Sequence, residues 1–143
     1  MFVARPGVGK SLMALALCNM LLDAGKIERI FYLDGDNSHI TIKSRNIELL
    51  KNKFGNKLNY FIELSNSDMY RIIKELKKKD LTDFLIVFDS IKNFIIGDRN
   101  SHKDVTELMN ILKELRNNGA SIVFLHHQNK LSKDFNSAFA GSS

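Results

Sequence analysis

Residues 4–11 read ARPGVGKS: two glycines around a valine, then a lysine and a serine. Gly7 and Gly9 free the backbone to curl until successive N–H groups converge on an anion. Lys10 sets one ammonium beside that hollow, and Ser11 sets one hydroxyl. Amides and an ammonium suit phosphate oxygens, while a hydroxyl suits a hard divalent cation, so the set fits a polyphosphate carried with Mg²⁺. Arg5, Pro6, Gly7, Val8, Gly9, Lys10, Ser11 and Leu12 are the expected binding segment, with Ser11 on the metal.

A metal held by one hydroxyl needs a second anchor. The apolar run FLIVFD ends on Asp89, whose carboxylate is expected to emerge near the loop and bind Mg²⁺ through water. Many ATPases carry an acidic base directly after such an aspartate, but Ser90 stands there. A carboxylate that orients attacking water must then come from another strand end, and YLDGDNS offers Asp34 and Asp36. Asp36 is favoured, because Asp34 reads as the last residue of its strand and Gly35 lets the next residue turn outward. His126 and His127 close another apolar run, where an imidazole can hydrogen-bond a γ-phosphate or simply fill a turn. NKLS, at residues 129–132, has Ser132 where a guanine-reading carboxylate belongs, which argues against GTP.

These groups need elements to carry them. MFVA is a short strand, and residues 10–24 form a helix apolar on nearly every face, expected to be buried and stopped by Gly25. RIFYLD, LNYFIEL, FLIVFD and SIVFLH read as further strands. Between them lie helices near residues 39–53, with Ile40, Ile47 and Leu50 on related faces, and one capped by Ser67 with a stripe of Met69, Ile72, Ile73 and Leu76. A last helix is striped by Val105, Leu108, Met109, Leu112 and Leu115, with Ser101 and Asp104 as its capping pair and Asn118-Gly119 as its end. The alternation predicts an α/β fold: a parallel sheet with helices on both faces and ligands at the carboxyl ends of the strands.

The totals agree with one domain over residues 1–143. The chain is 44% hydrophobic and 26% charged, with no repeat or linker, and its net charge of +5 is compatible with nucleotide or nucleic acid partners. A single cysteine, Cys18, forms no intrachain disulfide, and no His/Cys spacing suits a structural metal. The uncharged run SLMALALCNMLL is too short to span a bilayer, so a cytoplasmic protein without membrane attachment is expected.

With ARPGVGKS, YLDGD, LIVFDS and FLHHQNK in that order, the chain resembles RecA-like P-loop ATPases. Its His-His-x-x-Lys ending and Ala-Gly-Ser-Ser are most similar to the branch of RepA-type hexameric helicases and related AAA-family ATPases. The resemblance implies ATP as nucleotide, hydrolysis at the interfaces of a homo-oligomer (a hexamer), and movement on or remodelling of DNA. It puts the catalytic carboxylate on Asp36 and the phosphate sensor on His127, beside Lys10 and Asp89. In relatives the residues around 90–103 and 128–141 commonly face a central channel, where Lys92, Arg99, Lys103, Lys130 and Lys133 could meet single-stranded DNA. The family also has a further strand and an interfacial arginine after the position of Ser143, so the domain is expected to be incomplete at its carboxyl end. Two other readings stand beside this one. A small-molecule P-loop kinase would need an arginine-rich lid, yet residues 90–116 hold only Arg99 and Arg116. A non-hydrolysing, nucleotide-dependent assembly or loading module needs only the binding half of the site.

Overall fold

The computed structural model describes residues 2–4, 10–35, 40–89 and 102–127. Five strands, β1 (Phe2–Ala4), β2 (Arg29–Asp34), β3 (Leu58–Phe61), β4 (Phe84–Asp89) and β5 (Ser121–His127), alternate with four helices. The helices are α1 (Lys10–Asp23), α2 (Ile40–Phe54), α3 (Asn66–Leu76) and α4 (His102–Asn117). All strand pairs are parallel and the order across the sheet is β1-β5-β4-β2-β3. This is the α/β parallel sheet expected from the alternation of elements, and it is consistent with the RecA-like core that the resemblance implies.

Strand parity sorts the core into two layers. Leu85 and Val87 of β4, with Ile30 and Tyr32 of β2, pack against Ala14, Leu15, Cys18 and Leu22 of α1 and Ile47 of α2. Ile86 and Phe88, with Leu33, pack on the other face against Met69 and Ile73 of α3 and Leu108, Leu112 and Leu115 of α4. Helices after β1 and β2 therefore cover one face, and those after β3 and β4 the other. The helices that follow the neighbours β2 and β4 lie on opposite faces, the arrangement that in open α/β sheets marks a crevice at the carboxyl ends of two such strands.

Local chemistry ends the elements where expected. Gly25, at φ +70°, closes α1: Lys26 N–H donates to Leu21 and Gly25 N–H to Leu22, leaving no last-turn carbonyl of that pair unmatched. Gly119 repeats the arrangement after α4, with Ala120 N–H on Leu115 and its own N–H on Arg116. The pairing of β5 with β1 joins Ala4 to His127, so the segment entering the glycine loop and the histidine end of β5 share one edge.

Three expectations change. α1 is not buried all round: Leu12, Met13 and Met20 are exposed, and only one stripe meets the sheet. The cap of α3 is Ser65, whose hydroxyl accepts from Asp68 N–H at 3.1 Å, while Ser67 lies in the first turn. β3 ends at Phe61, since Ile62 is already exposed and Glu63 has φ +54°. Ser101 and the side chain of Asp104 lie outside the described residues.

Candidate nucleotide and metal site

The parity that sorts the core also selects the site. Asp34 and Asp89 end β2 and β4, and their Cα atoms are register partners. Each lies two residues beyond a side chain of the α1-covered face, Tyr32 in β2 and Val87 in β4, so both carboxylates emerge on that face at the mouth of the crevice. Asp34 is 1% exposed and Asp89 is fully buried. Two carboxylates in register repel, and burial strengthens the repulsion, so the site must supply cations and donors.

α1 supplies the first of them. Ser11, in its first turn, donates its hydroxyl to Asp89 Oδ2 at 2.7 Å, joining residues 78 apart in sequence. Lys10, the first residue of α1, is 3% exposed, so its ammonium is brought inside at the same helix end. The glycine loop itself, with Arg5, Pro6, Gly7, Val8 and Gly9, lies outside the described residues. Leu12, which was expected to line the ligand, is 42% exposed in the first turn of α1.

Two tyrosines supply the next donors, and they do so by one repeated relation. Tyr32 pairs with Val87, and its hydroxyl reaches diagonally to Asp89 Oδ2, two residues on, at 2.7 Å. Tyr60 pairs with Tyr32, and its hydroxyl reaches Asp34 Oδ2, again two residues on, at 2.6 Å. The rings stack at 4.5 Å. Burial first, then the charge of Asp89, pushes the Tyr32 phenol well above its ordinary range. Burial and the hydrogen bond to Asp34 push Tyr60 in the same direction. Both hydroxyls therefore stay protonated and remain donors.

Lys43, from the first turn of α2, completes the cluster. Its Nζ lies 3.2 and 3.3 Å from the two oxygens of Asp34 and 3.4 Å from Asp89 Oδ2, with the lysine 3% exposed. Tyr32, Tyr60 and Lys43 were absent from the residues expected in the site. Lys43 had a legible signal: it shares the helical stripe of Ile40, Ile47 and Leu50, and a lysine on an apolar stripe has to be buried against counter-charge.

The donor set fits magnesium. A serine hydroxyl and one aspartate oxygen, 2.7 Å apart, are the few hard ligands that this ion takes from protein when phosphates and water supply the rest. No group of three His, Cys, Asp or Glu suited to holding a metal occurs among the described residues. Asp34 is committed to Lys43 and Tyr60, while Asp36 lies outside the described residues. His127 ends β5, level with Ala4, and nothing further of its side chain is described. Ser90 and the basic positions Lys92, Arg99, Lys130 and Lys133 also lie outside the described residues, and Lys103 belongs to the backbone of α4. Among the described residues, no helix is long and apolar enough to cross a membrane.

The family model described as an AAA domain matches residues 1–133. No curated protein matches the chain.

Proposed function

The chain belongs to the AAA domain family, and from that membership we propose that it binds ATP with magnesium and hydrolyses it as a subunit of a DNA helicase or DNA-remodelling motor. The observation that carries the metal and nucleotide part is the Ser11–Asp89 hydrogen bond. It ties the helix that follows the glycine loop to the acidic end of β4, which is the pairing a phosphate-bound magnesium needs.

In this reading the amides of residues 5–9 and the amino end of α1 hold the phosphates. Lys10 balances charge that gathers on the β- and γ-phosphate oxygens as the terminal bond lengthens. Ser11 and Asp89 hold the metal, which when bound withdraws charge from those oxygens. Tyr32 keeps Asp89 turned toward Ser11 by donating to the same oxygen. Asp36 orients the attacking water, and His127 responds to loss of the γ-phosphate. The basic segments 90–103 and 128–141 contact single-stranded DNA within a homo-oligomeric, hexameric ring. The RepA-type branch is the form of the family that best accounts for the His-His-x-x-Lys ending.

The test measures phosphate release from ATP with and without Mg²⁺ and single-stranded DNA, alongside ATP affinity. Magnesium-dependent binding lost in Lys10→Ala, and turnover raised by DNA, are the expected results. Release to a small-molecule acceptor instead of water would turn the reading toward a kinase, and binding without turnover toward a loading module.

A further inference from the structure

Lys43 stands where a lysine is hard to keep. It lies in the first turn of α2, which has no acidic residue to offset the positive helix end. It is also almost wholly buried, so its charge must be met by partners. Those partners are unequal. Asp34 receives the ammonium on both oxygens, at 3.2 and 3.3 Å, whereas Asp89 meets it with Oδ2 at the longer distance of 3.4 Å. Asp34 is thus the holder and Asp89 the outer contact.

The outer contact falls on a shared atom. Oδ2 of Asp89 is also the oxygen that accepts from Ser11, the hydroxyl placed on the metal. A lysine ammonium and a divalent cation drawn to one carboxylate repel each other, strongly so in a buried site. We propose that Lys43 is a resident counter-cation of the site, a positioning residue that competes with magnesium for Asp89 and thereby weakens metal affinity in return for holding the carboxylate pair in register. The proposal rests on the nucleotide–magnesium reading of the same site. When the metal is bound, Lys43 retains Asp34 and gives up its share of Asp89. Tyr32 and Tyr60, each on a different carboxylate, keep both acids placed while that share changes.

The test is the ratio of ATP dissociation constants in EDTA and in MgCl₂, measured by titration calorimetry on the full chain. Removing the competing charge in Lys43→Gln is expected to raise this ratio about tenfold over the wild type. Lys43→Arg, which keeps the charge, is expected to leave it within about twofold. Because Lys43→Gln leaves Asp34 with one cation fewer, Lys43→Gln/Asp34→Asn is measured beside it; it deletes a buried ion pair as a unit and is expected to raise the ratio in the same direction. Circular dichroism confirms the fold of each variant. A ratio unchanged or lowered in the folded charge-deleting variants overturns the proposal, because a lysine that only braces α2 against β2 would leave the metal's share of binding untouched. A wild type whose ATP affinity ignores magnesium would overturn the nucleotide–metal reading itself, and the role of Lys43 with it.

Discussion

Asp34 and Asp89 are register partners across β2 and β4 and share one ammonium, that of Lys43, at 3.2 and 3.4 Å. Two acids directly opposite each other in a buried sheet are unfavourable by themselves. Their persistence here follows from the donors gathered round them, and each donor makes a distinct prediction.

Lys10→Ala removes a buried ammonium at the amino end of α1. A charge-assisted contact to phosphate is worth about 1.5–3 kcal/mol, so ATP affinity should fall by roughly 10- to 100-fold or more. Titration calorimetry reads the loss, and an unchanged circular dichroism spectrum separates it from unfolding.

Asp89→Asn keeps an acceptor for Ser11 and Tyr32 but removes the charge. The magnesium-dependent part of ATP binding should vanish, while binding in EDTA stays within about threefold of the wild type, roughly 0.7 kcal/mol. An ATP affinity that still responds to magnesium would exclude Asp89 as the metal's carboxylate.

Tyr32→Phe keeps the stacked ring and deletes one donor to a buried carboxylate. A loss of about 1.5–3 kcal/mol in urea unfolding is expected. Tyr60→Phe should cost a similar amount through Asp34. Because both acids share Lys43, the two losses should not add, and a double-mutant cycle measures the coupling.

Alkaline pH should destabilise the fold in a defined window. Burial pushes the Cys18 thiol from 9.0 up to about 12, and pushes the Tyr32 phenol well above 10.0. In both cases the unfolded chain loses its proton first. Stability is therefore complete below about pH 9 and falls as pH rises, by up to about 1.4 kcal/mol per pH unit for each group. Urea midpoints from pH 7 to 11 follow the decline, and Cys18→Ala should remove its first part.

Gly119 and Gly25 both sit at positive φ, yet they should differ in cost. A Cβ on Gly119 would lie 2.8 Å from the Thr82 backbone nitrogen, whereas one on Gly25 meets nothing within 4 Å. Gly25→Ala should cost about 1 kcal/mol and Gly119→Ala clearly more, read as the difference in urea midpoints.

Much of this was legible in the chain itself. RIFYLD and FLIVFD have the same bounds in the structure as in the reading of their apolar runs, because β-branched and aromatic residues packed on both faces leave little choice of strand. Asp89 was expected to emerge near the glycine loop, and its carboxylate accepts a hydrogen bond from Ser11 at the start of α1. Tyr32 and Tyr60 escaped notice since a tyrosine in a strand looks like core until register shows which acid its hydroxyl reaches. α1 misled through composition: apolar residues on nearly every face of residues 10–24 read as a helix buried within the fold, although only packing against its neighbours decides which of them are covered.

The diagonal tyrosine–aspartate relation, repeated from β3 to β2 and from β2 to β4, has a further bearing on how the chain reaches this state. Sliding β2 by one residue would turn Tyr32 and Asp34 toward α3 and α4, stranding a phenol and a carboxylate in oil-like surroundings. Misaligned sheets are thus penalised most at the ligand end, so the chemistry-bearing rim doubles as a proofreader of strand alignment during folding.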